Sequence, residues 1–252
     1  MITGSSGRRD YPVAVAAGPK HGDRGVLDAL AWLMTQAKSV GGQPLVYAPQ
    51  KSTVRDHAIL GEFVKRPGVV LGTWKAGTTF GWGGGPVLAA WPDRVKLGEI
   101  ADDPRTRALV VVPWVEGELD AWIAATDPER LGPAPSAPAA PDLDPVVVEG
   151  LTALTALTGM VNHANNLAGS LDRRDAVAVL GVLKRAGYRL PPDHVLGWAM
   201  SHGWRARGAE RLRELAAAFE AGRRPQLKGS NPLRPDMIAS WRAKATTADA
   251  AD

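Results

Sequence analysis

An α/β amino-terminal domain of Rossmann-like type, its sheet mostly parallel with one hairpin, followed by a small all-α domain, is the fold class the sequence predicts. Three observations carry it. Strand-like runs alternate with helical periodicities over residues 11–126, the pattern of βαβ units. The runs VAVAA, VVLG and ALVVV are continuously apolar, as expected of strands covered on both faces. Beyond residues 127–145, where proline and alanine dominate and periodicity vanishes, no strand signal returns. The division is therefore an α/β domain over 11–126, a Pro/Ala-rich linker over 127–145 and a basic helical domain over 146–245.

The elements follow in order. Residues 11–17 read as a first strand, broken by Gly18-Pro19 and the polar stretch to Asp23. A helix over 24–40 places Leu27, Leu30, Ala31, Met34 and Ala37 on one face and stops at Gly41-Gly42. Residues 45–48 form a second strand. Ser52 or Thr53 caps a helix over 54–65, which ends at Pro67-Gly68. Residues 69–73 and 87–91 are the third and fourth strands. The segment between them shows no helical pattern, so a hairpin or long loop is expected there, with Gly83, Gly84 and Gly85 as its glycines. A short helix over 94–101, a strand over 108–112 and a helix over 119–125 complete the domain.

In the second half, helices are expected over 146–161, from Asp172 to Ala186, from Pro191-Pro192 to Gly203, over 207–221 and over 236–245. Glycines at 187, 203 and 222 act as stops.

Composition removes several function classes. The 252 residues include no cysteine, which excludes disulfides, thiolate catalysis and cysteine-based zinc sites. No apolar run approaches the roughly 20 residues of a membrane span. The first residues, MITGSSGRRDYP, lead into no apolar signal-peptide core. A cytoplasmic protein without a membrane partner is expected, its oligomeric state undefined by sequence. Neither G-x-x-x-x-G-K-[ST], G-x-S-x-G nor H-E-x-x-H occurs, which argues against a P-loop NTPase, an α/β-hydrolase and a zincin. Gly18 and Gly22 lie between first strand and helix, but not at dinucleotide-fingerprint spacing.

Rossmann-like sheets bind ligands beyond the carboxyl ends of their strands. That rule selects the loops bearing Lys20, His21, Asp23, Lys51, Lys75, Thr78 and Thr79, a set suited to a nucleotide or phosphorylated small molecule. The competing reading is that such loops are polar because they face water. Two sequence-adjacent acid–base pairs suggest themselves, His21 with Asp23 and Asp56 with His57. No cofactor is implied and no metal site is expected. Glu116 and Glu118 read more simply as a solvated helix start than as ligands.

The helical half carries the clearer electrostatic signal. Between Arg173 and Arg234 there are thirteen Lys and Arg against five Asp and Glu, a surplus of +8 in a chain of net charge +4, so the remainder sums to −4. Short helices joined by tight turns resemble a helix-turn-helix in outline. Arg205, Arg207, Arg211, Arg223, Arg224 and Lys228 are the candidates to contact nucleic acid phosphates. The alternative is a solvated face in which Glu210 and Glu214 pair with the arginines at helical spacing. His202 is expected in the core, on the face of Val195, Trp198 and Ala199. A third possibility is an interaction module without a small ligand, presenting Trp74, Trp82, Trp114 and Trp204 as a partner surface.

Overall fold

The computed structural model describes residues 11–74, 81–135, 143–159, 167 and 169–249, which divide into two compact units, 11–135 and 143–249. Lys75, Thr78 and Thr79 lie outside the described residues.

The first unit holds strands β1 (Val13–Ala16), β2 (Leu45–Ala48), β3 (Val70–Thr73), β4 (Gly85–Ala90), β5 (Thr106–Val112) and β6 (Glu129–Leu131). Its helices are α1 (Arg24–Val40), α2 (Lys51–Arg55), α3 (Ala58–Phe63), α4 (Arg94–Ala101) and α5 (Asp120–Thr126). The strands form one sheet in the order β3-β2-β4-β5-β1-β6, every pairing parallel.

The continuous apolar runs have their explanation here. Ala14, Ala16, Val46, Ala48, Leu88, Ala90, Val110 and Val112 form one buried face against Val26, Ala29, Leu30 and Leu33 of α1 and Leu60 and Phe63 of α3. Their alternates, Val15, Leu45, Tyr47, Val87, Ala89, Leu109 and Val111, are also buried and point to the other face. Helix α4 packs against β5, and the right-handedness of parallel crossovers carries α4 and α5 to that second face. Tyr47 feels this cover. Burial, reinforced by the carboxylates of Glu99, Asp93 and Asp103, pushes its hydroxyl up to about 12.

Three expectations change. The hairpin over residues 69–91 does not form, because β3 and β4 both lie beside β2, one on each side and each parallel to it. All six residues of β4 are buried, which a place between β2 and β5 satisfies and a hairpin at the sheet edge would not. The glycine run serves close approach instead. A Cβ on Gly85, at φ +151°, would stand 2.6 Å from the Gln43 carbonyl oxygen. The helix expected over 54–65 is two helices, α2 and α3, separated at Asp56-His57. The expected linker begins later than residue 127, since Glu129–Leu131 forms β6 beside β1. A strand of three residues is too short to show a period. Its Glu129 carboxylate accepts from the Trp32 indole N–H at 2.8 Å.

The second unit is helical: α6 (Pro145–Gly159), α7 (Ser170–Arg185), α8 (Pro192–Ser201), α9 (Ala206–Glu220) and α10 (Met237–Asp249). Its core gathers Leu151, Leu154, Leu180, Leu183, Val195, Leu212, Leu215 and Trp241. His202 is not part of it. The ring is exposed, stacked on Trp198 at 3.9 Å with Nδ1 2.8 Å from the Trp198 carbonyl. It belongs to the turn after α8 rather than to the helix, so helical periodicity misplaces it.

Two acidic residues in α7 are buried, Asp172 at 3% exposure and Asp175 at 6%. Arg174 engages Asp175 at 2.8 Å, while Oδ1 of Asp172 has no partner among the described residues. Burial, with the neighbouring Asp175 charge, raises the Asp172 pKa above the ordinary 3.8. The folded protein thus holds this proton to higher pH than the unfolded chain. Stability falls as pH rises from the unfolded pKa through the folded one. Asp172→Asn is expected to stabilise the protein at neutral pH by on the order of 1 kcal/mol. The gain should shrink to nothing below pH 3.8, as urea unfolding at both pH values will show.

Candidate functional site

Chain reversal in the sheet creates the first site. From β1 the chain travels to β2, past β5 and β4; from β5 it travels the other way, past β1 to β6. Loops leaving two neighbouring strands in opposite directions open a crevice at their carboxyl ends. A cavity of about 400 Å³ lies there. Its walls come from the loop after β1 (Gly18, Gly22, Asp23), from α2 and its end (Thr53, Asp56, His57), from Trp91 after β4 and from Trp114 after β5. That volume is within the range of small-molecule sites.

Close packing of α1 against β1 shapes the floor. Gly25 sits so near the end of β1 that a Cβ there would be 1.9 Å from the Ala17 carbonyl oxygen. A glycine for tight helix–strand packing is thus present even though the dinucleotide spacing is not.

His57 is held at both ring nitrogens. As the N-cap of α3 its Nδ1 accepts from the Leu60 N–H at 3.5 Å, leaving Nε2–H to face Oδ1 of Asp23 at 3.4 Å. This arrangement orients the ring, with Nε2 turned toward Asp23. Neither pair expected from adjacency is found among the described contacts: Asp23 meets His57, Asp56 meets Arg55 at 3.4 Å, and His21 is exposed. Histidine is not a preferred cap residue, so nothing in the sequence pointed to this role.

Trp91 bears two unfavourable features. Its φ of +59° is in the left-handed region, which costs a non-glycine residue about 1 kcal/mol or more. Its indole N–H is buried without a partner among the described residues. Its ring lies 5.4 Å from that of His57 and 5.8 Å from that of Trp114, edge-on to the latter at 82°. Trp114 is 60% exposed.

Of the predicted ligand residues, Asp23 lines this cavity; Lys20, His21 and Lys51 are exposed and are not among its described walls. Lys20 pairs with Glu116, joining the loops after β1 and β5. Lys51 opens α2. The four tryptophans proposed as a partner surface do not share one. Trp82 and Trp204 are buried, their N–H groups donating to the Gln43 carbonyl at 2.7 Å and to Thr155 Oγ1 at 2.9 Å.

The second site lies on the helical unit. Helices α8 and α9 are joined by four residues, His202 to Arg205, with Gly203 at φ +82°. A short glycine-bearing turn between two packed helices resembles the connection of a helix-turn-helix in outline. Arg205 and Arg207 are exposed at the start of α9 and Arg211 is half-buried one turn on; no acidic residue occupies that first turn. The helix dipole already makes this end positive, so the arginines add to a positive corner.

Three of the five carboxylates counted in the basic stretch pair locally. Glu220 pairs with Lys184 at 2.8 Å, Asp193 with Arg213 at 2.7 Å and Asp175 with Arg174. Burial of Glu220 favours its neutral form, but hydrogen bonds from Lys184 and the Leu190 N–H outweigh it and hold the pKa below the usual carboxylate range. Arg205, Arg223, Arg224 and Lys228 are exposed and make no ion pair among the described residues. Arg223 and Arg224, with Lys184 and Arg185, border a groove of about 490 Å³ floored by Val177, Ala178, Phe219 and Leu227.

A family model described as "Domain of unknown function (DUF1889)" matches residues 143–242, a stretch within the helical unit. No curated protein and no solved structure matches the chain. Among the described residues no helix is long and apolar enough to cross a membrane, and no cluster of acidic or histidine residues has metal-binding geometry.

Proposed function

We propose that this is a cytoplasmic nucleic-acid-binding protein whose helical unit contacts phosphates, with the α/β unit as a scaffold or ligand-sensing domain. The observation that carries this reading is the set of exposed cations Arg205, Arg223, Arg224 and Lys228, which make no ion pair among the described residues, on a unit where Asp175, Asp193 and Glu220 pair with other cations. Cations without counter-charges repel one another and are stabilised by a polyanion. The glycine turn between α8 and α9, with Arg205, Arg207 and Arg211 at the start of the second helix, supports the same reading. Phosphate contacts of this kind set affinity and position but carry no base sequence.

The test is fluorescence anisotropy of the full chain with a labelled DNA duplex and a labelled single strand at low ionic strength. Binding to at least one is expected. Absence of binding to both removes the proposal.

A second reading, an enzyme or sensor acting on a small molecule in the α/β unit, is favoured by the cavity at the reversal of strand order. The sequence suggested a nucleotide or phosphorylated ligand. Among the described walls of that cavity, however, there is no Lys or Arg to meet a phosphate.

A further inference from the structure

We infer that the cavity at the carboxyl ends of β1, β4 and β5 binds an organic cation of the alkylammonium class; the inference deepens the small-molecule reading and rests on it. Charge comes first. The described walls carry two carboxylates, Asp23 and Asp56, the second paired with Arg55 outside the cavity lining, one imidazole and no basic side chain. The Nδ1 of that imidazole faces the Leu60 N–H and its Nε2 faces Asp23, so no wall residue brings a fixed positive charge. Lys20, in the loop after β1, is paired with Glu116. A phosphate entering here would meet like charge, and a cation would not.

Shape comes second. The indoles of Trp91 and Trp114 stand at 82° with centroids 5.8 Å apart, and His57 lies 5.4 Å from Trp91. Aromatic planes set at right angles, with carboxylates alongside, form the walls of a cage in which a methylated ammonium group meets ring faces rather than water. Ala17, Gly18, Val26 and Val112 supply an apolar floor for the alkyl part. The strained backbone of Trp91 fits this role: φ +59° holds an indole at the cavity where an extended residue would aim it elsewhere. Trp114 is 60% exposed, so its ring is open to contact from the cavity side.

Choline is the probe, and its uncharged carbon analogue 3,3-dimethylbutan-1-ol the control of equal shape. Isothermal titration calorimetry of the full chain is expected to show saturable choline binding, with the alcohol weaker by about tenfold. Trp114→Ala should weaken choline by a similar factor, Trp114→Phe should retain most of it, and Asp23→Asn should narrow the gap between choline and the alcohol. Trp114 is exposed, so its removal leaves the fold in place. Equal binding of choline and the alcohol would overturn the cation assignment while leaving a small-molecule site. Binding of adenosine monophosphate or inorganic phosphate in place of choline would overturn it in favour of an anion site. No binding by any of these probes would sink the cation assignment and leave the small-molecule reading without support.

Discussion

Replacing Gly25 with alanine is expected to cost the α/β unit about 3 kcal/mol or more. The added Cβ would stand 1.9 Å from the Ala17 carbonyl oxygen, 2.8 Å from its carbon and 3.1 Å from its nitrogen. All three atoms are backbone, so no rotamer change relieves the overlap. Nor is the strand free to withdraw: β1 is paired on one side with β5 and on the other with β6, at Ala16↔Leu131 among others. Helix α1 must therefore lift from the sheet, losing contacts of Val26, Ala29 and Leu30 with the core and widening the cavity floor. Thermal unfolding should fall by on the order of 10 °C. Gly83→Ala is the matched control. Nothing lies within 4 Å of a Cβ there and the backbone is not in the left-handed region, so little or no change is expected.

Removing Arg223, Arg224 and Lys228 together, each to alanine, is expected to weaken nucleic-acid binding by ten- to a thousandfold at low salt, with folding unchanged. All three side chains are exposed and none makes an ion pair among the described residues, so the fold does not depend on them. The loss should be about the same for unrelated DNA sequences, because phosphates are alike along the duplex. A loss confined to one sequence would contradict phosphate contact by these residues. Arg213→Ala, by contrast, removes a partner of Asp193 at 2.7 Å and is expected to act on stability as well as on binding.

Much of the α/β architecture was legible because buried parallel strands announce themselves as unbroken apolar runs. GPVLAA and ALVVV are interior strands with both faces covered. Helix ends were legible where glycine takes positive φ, as at Gly41, Gly203 and Gly222. Partner choice within the sheet was not. Residues 69–91 show two strands and a non-helical connection, which suits a hairpin as well as a crossover; only the burial of every residue of β4 decides it. The β6 strand, three residues long, fell below the length at which alternation can be seen.

The site was legible as a set of loops but not as a set of contacts. Asp23 was placed at a strand end by the order of elements, and it does line the cavity. Its partner His57 lies on another crossover, and sequence adjacency pointed to His21 and Asp56 instead. Trp91 and Gly25 carry no local signal, since one reads as the last residue of a strand and the other as an ordinary glycine of a helix start. Their roles depend on backbone conformation and on a neighbouring strand, neither of which is encoded locally.

The dependence of DNA affinity on salt tests the central claim most directly, measured for the full chain and for the Arg223→Ala, Arg224→Ala, Lys228→Ala variant. Phosphate contact by the helical unit predicts that the logarithm of affinity falls linearly with the logarithm of salt concentration, by about 0.9 for each phosphate neutralised, and that the variant's slope is shallower by roughly 2 to 3. An affinity indifferent to salt, or a slope identical in the two proteins, would contradict it.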